Sequence, residues 1–257
     1  MKFLERFMLS KNKIKYIRSL ELKKNRKEDG VFVAEGHKLV GDLLGHFHCL
    51  MLVATADWLA SNKDAVADEI IEASYEELSR ASLLKTPQDV LAVFNQPRSD
   101  YTLEDIKHSL CIALDDVQDP GNLGTIIRIA DWFGIEHIFC SQGTVDVYNP
   151  KTVQATMGAL ARVKMHYCSL PSLIASLEDV PVYGTFLDGK DMYEETLSAN
   201  GLIVMGNEGN GISKEIASLV NKRLYIPNYP KGQETSESLN VAVATAVICA
   251  EFRRRLQ

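Results

Sequence analysis

Between residues 109 and 255 short apolar runs recur at intervals that leave room for a helix between them, and this spacing constrains the fold more than any other feature. Runs at 110–114, 136–140, 163–167, 181–187, 201–205 and 223–226 alternate with helical stretches at 122–133, 150–161, 171–178 and 212–220. Leu202-Ile203-Val204-Met205 shows no polar alternation, so a strand made from it must be covered on both faces. The pattern is that of an α/β fold, a mostly parallel sheet with helices on both faces. Ligands of such sheets bind beyond the carboxyl ends of the strands. Chemistry is therefore expected in the loops 115–122, 187–191, 206–211 and 227–237. A closing helix, about 237 to 255, is apolar almost all round, with Leu239, Val241, Val243, Val247, Ile248 and Ala250 ahead of the first acid, Glu251. Such a helix sits at the centre of a fold or meets a second subunit, and a homodimer through it is expected.

The preceding residues form a smaller α/β series. Residues 8–27 read as one basic helix, with Ile14, Ile17, Leu20 and Leu22 on its apolar side, followed by a strand, Val31-Phe32-Val33-Ala34-Glu35. A helix (36–45), a strand (47–54), a helix (57–62), a strand near Ile70, a helix (75–84) and a strand (90–94) complete it. The polar stretch Gln96-Pro97-Arg98-Ser99-Asp100 marks a boundary. The expected organisation is an N-terminal domain (1–95), a linker (96–108) and a C-terminal domain (109–257).

Of the 257 residues, 46% are hydrophobic and 24% charged, which excludes disordered and collagen-like classes. The longest uncharged runs, Leu43 to Ala56 and Ser238 to Ala250, are too short to span a bilayer. Glu5 and Arg6 stand where a signal peptide needs apolar residues, so a cytoplasmic protein is expected. The five cysteines contain no CxxC pair and read as free buried thiols. His46-Phe47-His48-Cys49 lacks the paired spacing of a zinc site, and no metal is expected. Charge is segregated. Residues 1–30 hold ten Lys/Arg against four acids, a net of +6; the whole chain is at −6, so the remainder carries −12. A second stretch, Val147 to Leu177, has Lys151, Arg162 and Lys164 and no acid. Basic patches on an acidic protein suit a polyanion such as RNA, because each neutralised phosphate releases counterions; they equally suit a solvated helix face.

Three of the expected loops carry unusual residues. Asp115-Asp116-Val117-Gln118-Asp119-Pro120-Gly121-Asn122 follows a strand and opens a helix that reaches Arg128, six residues past Asn122. Placed in the first turns of one helix, Asn122 and Arg128 point to a common ligand. Met205-Gly206-Asn207-Glu208-Gly209-Asn210-Gly211 is a glycine-rich turn at a strand end, and Ile226-Pro227-Asn228 leads to Ser238-Leu239-Asn240 at the mouth of the closing helix. Local roles are also open to them. Asp116, Asp119 and Ser238 suit helix caps, and the glycines suit positive φ angles. The glycine spacing is not the Gly-x-Gly-x-x-Gly dinucleotide fingerprint, and no Gly-Lys-Ser/Thr phosphate loop is present.

In their order and at strand ends, the three loops resemble the motifs of the SpoU/TrmH family, the SPOUT-class RNA ribose 2′-O-methyltransferases, over residues 109–257. Lys23-Lys24-Asn25-Arg26 and Phe32-Val33-Ala34-Glu35-Gly36 resemble the RNA-binding domain that often precedes this catalytic domain and is akin to certain ribosomal proteins. The resemblance implies a C-terminal trefoil knot, a homodimer through the last helix, and S-adenosyl-L-methionine as cofactor. The cofactor would be held by Gly206, Asn207, Ile226 and Leu239, with Thr185 and Leu187 beside them. It implies Arg128, Asn122, Glu208, Ser238 and Asn240 as catalytic residues, with Glu208 holding the arginine, and Lys11, Lys13, Lys23, Lys24, Arg26 and Lys151 as RNA contacts. Free arginine stays protonated, so Arg128 is read as a guanidinium that fixes the hydroxyl and stabilises the emerging alkoxide rather than as a base. Thr156-Met157-Gly158-Ala159 departs from the family's Ser-x-Gly-Ala, and the 228–237 loop, with Glu234 and Glu237, is longer than usual. Ribosomal RNA is the expected target, with transfer RNA next. The alternatives are a non-catalytic RNA-binding or assembly protein on the same scaffold and a dinucleotide-dependent oxidoreductase.

Overall fold

The computed structural model describes residues 9–97, 100–230, 233 and 238–255. Glu234 and Glu237 of the long loop lie outside the described residues. The chain runs α1 (Lys11–Ser19), α2 (Lys23–Asp29), β1 (Val31–Glu35), α3 (His37–Leu43), β2 (Cys49–Ala54), α4 (Ala56–Ser61), β3 (Glu69–Glu72), α5 (Tyr75–Ala81) and β4 (Val90–Asn95). It continues α6 (Leu103–His108), β5 (Leu110–Leu114), α7 (Pro120–Trp132), β6 (His137–Cys140), α8 (Pro150–Thr156), β7 (Lys164–Tyr167), α9 (Leu170–Ala175), β8 (Val182–Asp191), β9 (Gly201–Met205), α10 (Lys214–Leu219), β10 (Lys222–Tyr225) and α11 (Val241–Arg254). Two compact units result, residues 1–98 with 146–161, and residues 99–145 with 162–257.

In the first unit the four strands lie in the order β1-β4-β2-β3, antiparallel except for the β2/β3 pair. One face packs Val31, Val33, Leu91 and Val93 against Ile17 and Leu20 near α1 and Leu78 of α5. On the other, Phe32 stacks on Phe94 at 5.5 Å and on Tyr148 at 5.0 Å, so the later segment 146–161 contributes to this unit's core. The expected single helix over 8–27 is two. α1 stops at its C-cap Leu20, and Leu20 is withdrawn into the core while Leu22 remains exposed. Arg26 also turns inward. Its guanidinium donates to the carbonyls of Leu20 and Glu21 at 2.8 and 2.7 Å and pairs with Asp146 at 2.6 Å. At 1% exposure it is unable to reach an RNA phosphate, which corrects its expected role. Glu35 is likewise structural: its carboxylate accepts from Ser82 Oγ at 2.5 Å and Leu83 N at 2.7 Å, and burial raises its pKa.

The second unit is built on a six-stranded sheet, β10-β8-β9-β5-β6-β7, in which every pair is parallel. Helices cover both faces. Val182 packs with Ile106 of α6, Leu173 of α9 and Ile216 of α10. The next residue, Tyr183, points the opposite way and meets Phe252 of α11 edge-on at 4.9 Å. The stretch expected as linker thus holds α6, opened by a capping box between Thr102 and Asp105. The helix expected over 150–161 ends at 156, where Met157 adopts φ 51° and Gly158 φ 91°. A Cβ at Gly158 would lie 2.3 Å from an Asp42 carboxylate oxygen, so glycine is required there. The closing helix starts at 241 with Asn240, not Ser238, as its cap; Asn240 Oδ1 accepts from Ala242 N at 2.9 Å. α11 buries Val241, Thr245, Ile248, Cys249 and Phe252 and leaves Val243 and Ala250 exposed.

Candidate active site

Because all six strands of the second sheet run the same way, their carboxyl ends assemble at one edge of the unit. Asp115 follows β5, Gly206 follows β9, Ile226 follows β10, and Thr185 lies past the point where β8 leaves β9. The loops after β5 and β9 are locked together by side chains. Ser213 N donates to the Asp115 carboxylate at 2.7 Å, and Asn207 Nδ2 donates to the Asp116 carbonyl at 2.7 Å. Asp116 has a left-handed backbone, φ 63°, and caps no helix; its carboxylate fills the space a Cβ at Gly143 would occupy. Asp119 is the cap of α7, accepting from Asn122 N at 2.8 Å.

The glycine-rich turn is closed by reciprocal 2.9 Å hydrogen bonds between Asn207 and Gly211, with Gly211 at φ 68°. Asn207 Oδ1 accepts from Gly209 N and Asn210 N at 2.9 and 3.0 Å. A Cβ on Gly206 would fall 2.2 Å from the Gly211 carbonyl carbon, so the close approach of the two backbones demands glycine. Neither Gly209 nor Gly206 has a positive φ; the expectation from spacing holds for Gly211.

A chain of three polar side chains crosses this edge. Asn240 Nδ2 donates to Asn122 Oδ1 at 3.0 Å, and Asn122 Nδ2 donates to Glu208 Oε1 at 2.9 Å. Glu208 also receives the backbone N–H groups of Gln118 and Asp119 at 3.4 Å. Three separated segments thus converge through Asn122, Glu208 and Asn240. Arg128 does not join them. Six residues on, it is turned about 240° round α7 from Asn122 and lies on the exposed side; its side chain makes no ion pair or hydrogen bond among the described residues. Glu208 holds Asn122, not an arginine, which corrects the expected pairing. Ser238 and Leu239 are exposed beside Asn240.

Thr185 and Leu187 lie in a feature that spacing did not reveal. Arg223 pairs with Gly184 and the next residue, Leu224, pairs with Lys190, so residues 185–189 loop out of the β8 ladder. Thr185 is half-buried and Leu187 is 71% exposed.

The backbone N–H groups of Gly206, Ile226 and Leu239 make no hydrogen bond among the described residues. Gly206 is buried, and a donor there unpaired among the described residues suits a ligand acceptor. Such donors beside half-buried apolar side chains suit an adenine, which needs backbone groups and apolar walls.

In the first unit Lys11, Lys23, Lys24 and Lys151 are exposed, as are Lys15 and Lys27, which the sequence reading did not single out. Lys13 is paired with Glu69. In the second unit the other cations of the acid-free stretch are neutralised by acids distant in sequence, Arg162 by Asp131 at 2.7 Å and Lys164 by Glu136 at 2.6 Å.

Comparison with known proteins places the sequence in a family. Residues 109–250 match the SpoU rRNA Methylase family. The chain belongs to this family. Residues 11–92 match the MRM3-like substrate binding domain. Among SpoU relatives, the 23S rRNA (guanosine(2553)-2′-O)-methyltransferase RlmP of Bacillus subtilis is 33% identical, the match covering 94% of this chain and 96% of RlmP. A candidate RNA methyltransferase of the TrmH family from Porphyromonas gingivalis superposes with a TM-score of 0.88 at 43% identity, covering 97% of this chain and all of the other. An rRNA methyltransferase from Sinorhizobium meliloti, solved with S-adenosylmethionine bound, gives 0.82 at 32% identity and 95% coverage of both chains.

Proposed function

We propose that the protein methylates a ribose 2′-hydroxyl of ribosomal RNA using S-adenosyl-L-methionine. The observation that carries this reading is the Asn240–Asn122–Glu208 chain at the carboxyl edge of the parallel sheet, in a chain that belongs to the SpoU family. Gly206, Ile226 and Leu239 hold the cofactor through their backbone donors, with Asn207 fixing the turn and Thr185 and Leu187 adding walls. When bound, the cofactor supplies an electrophilic methyl group and a neutral thioether leaving group.

The chain's own residues must then orient the hydroxyl and manage its charge. Asn122 is pinned from both sides, by Glu208 and Asn240, so its position is set before RNA arrives. Ser238 and Asn240 complete the wall of the site. Arg128, free of any described protein partner, presents its guanidinium to the ribose oxygen and the adjacent phosphate; as the new carbon–oxygen bond forms, it stabilises the growing negative charge. The hydroxyl proton leaves to phosphate or water.

The finer features belong to the same reading. The C-terminal part forms a trefoil knot, and the exposed stripe of Val243 and Ala250 on α11, with the 85% exposed Trp132 of α7, is the surface of a homodimer. The first unit, akin to ribosomal proteins, holds RNA through Lys11, Lys23, Lys24 and Lys151, in the cytoplasm with its substrate.

Mapping of ribose methylation across ribosomal and transfer RNA, with and without the gene, tests the proposal: one large-subunit ribosomal nucleotide should lose its methyl group. Arg128→Ala should abolish transfer and leave cofactor affinity near normal. An unchanged methylation map, or full turnover by Arg128→Ala, overturns the assignment.

A further inference from the structure

The excursion at residues 185–189 is not a loose loop. Its two ends are glycines with distinct jobs. At Gly184 a Cβ would lie 2.6 Å from the Phe186 ring, so the missing side chain makes room for that ring to fold back over the strand. At Gly189 a Cβ would lie 2.5 Å from the Leu224 carbonyl, so the chain returns to the sheet in backbone contact with β10. Between them the register against β10 jumps from Gly184 to Lys190. The ladder does not set the shape of this segment.

Side chains do. Arg223 on β10 lies with its guanidinium carbon 3.5 Å from the Phe186 ring centroid, and its Nη2 donates to Asp188 Oδ1 at 2.6 Å. One planar cation therefore grips the residues on either side of Leu187. Planarity matters, because stacking on a ring face and donating in plane to a carboxylate are available at once to a guanidinium and not to an ammonium. The same hydrogen bond holds the Asp188 carboxyl below its ordinary pKa. The gripped segment stands beside the carboxyl ends of β9 and β10, where the backbone donors of Gly206 and Ile226 are unpaired among the described residues.

We propose that Arg223 is a positioning residue for cofactor binding: acting through Phe186 and Asp188, it fixes the 185–189 excursion so that Thr185 and Leu187 present their backbone and apolar surface to the adenosyl group. The inference rests on the methyltransferase reading above and adds to it a residue outside the three motif loops. It requires that Arg223 act on cofactor affinity and not on RNA affinity or on the transfer step.

The test uses the full chain, S-adenosylhomocysteine as calorimetric probe, and an unmodified large-subunit ribosomal RNA transcript as methyl acceptor. Arg223→Ala should raise the Kd for S-adenosylhomocysteine about tenfold, from the loss of one stacked and one paired contact. The KM for RNA and the kcat at saturating cofactor should stay within about twofold. Arg223→Lys should recover only part of the affinity, and Asp188→Asn, which removes one leg of the grip, should fall between wild type and Arg223→Ala. Unchanged Kd in Arg223→Ala overturns the proposal. So does a raised RNA KM with normal Kd, which makes Arg223 a phosphate contact, or a parallel collapse of Tm and every kinetic constant in all three variants, which makes it a framework residue. Wild-type protein that fails to bind the probe removes the methyltransferase reading itself, an outcome separate from equal binding by wild type and variant.

Discussion

The closest approach of backbone to backbone at the site is at Gly206, and a single methyl group tests it. Gly206→Ala places a Cβ 2.2 Å from the Gly211 carbonyl carbon, 2.3 Å from Ile212 N and 2.5 Å from the Gly211 oxygen. All three are backbone atoms, so no side chain can rotate away, and the turn must open by about 1 Å to restore ordinary contact. Opening it strains or breaks the two 2.9 Å hydrogen bonds between Asn207 and Gly211, at about 1 kcal/mol each. Forced repacking adds about 1–3 kcal/mol. A local penalty of about 3–5 kcal/mol in a surface turn appears as lost ligand affinity more than as global unfolding. With tenfold for each 1.4 kcal/mol, the Kd for S-adenosylmethionine should rise at least about 100-fold. Gly209→Ala is the internal control: its Cβ meets only Asn207 Oδ1 at 3.6 Å, so affinity should stay within about twofold. Calorimetric titration of both variants, with thermal melts alongside, gives the comparison. If Gly206→Ala binds the cofactor as tightly as wild type and melts at the same temperature, the close approach does not shape the pocket and the argument fails.

Arg26→Ala should destabilise the first unit by about 3–5 kcal/mol, seen as a lower urea midpoint, because Asp146 and two carbonyls lose a buried partner; Lys24→Ala should leave the midpoint alone and weaken RNA binding, and the reverse pattern would restore Arg26 as an RNA contact. Glu251, 5% exposed, is held at a pKa of about 2, first by the hydrogen bond from Arg254 and then by Arg255. A pKa below the ordinary ~4.3 means stability that is present above pH ~4 and lost as pH falls toward 2. Arg254 is well exposed, which screens the pair, so Glu251→Gln should cost about 1–2 kcal/mol at pH 7. Melts repeated down to pH 2 should converge with wild type; a gap that persists at pH 2 assigns the loss to packing.

The parallel sheet was legible because its strands are buried on both faces, and an apolar run without alternation has few other homes. What the pattern missed lies where a backbone angle or a tertiary contact decides. Nothing local at Leu20-Glu21-Leu22 interrupts a basic helix; the break follows from Leu20 being drawn into the core. Met157 carries a side chain at φ 51°, so the stop after Thr156 gives no glycine signal at the turn itself. Arg26 looked like its lysine neighbours because its partner, Asp146, is 120 residues away. Charge counting along a sequence does not see such pairs, which also engage Arg162 and Lys164 of the acid-free stretch from Val147 to Leu177.

At the site, residue types were readable and their pairings were not. Asn122, Glu208 and Asn240 stand out as polar residues in the turns and helix starts of the expected loops, yet their hydrogen bonds span 86 and 118 residues. Helical period alone should have separated Asn122 from Arg128, since six residues carry the side chain two-thirds of the way round α7. The separation has a chemical consequence. A carboxylate bonded to Arg128 would neutralise the charge that a developing alkoxide needs, whereas Glu208 spends its acceptors on Asn122 and two backbone N–H groups. The amides are fixed by the protein, and the Arg128 guanidinium has no partner among the described residues.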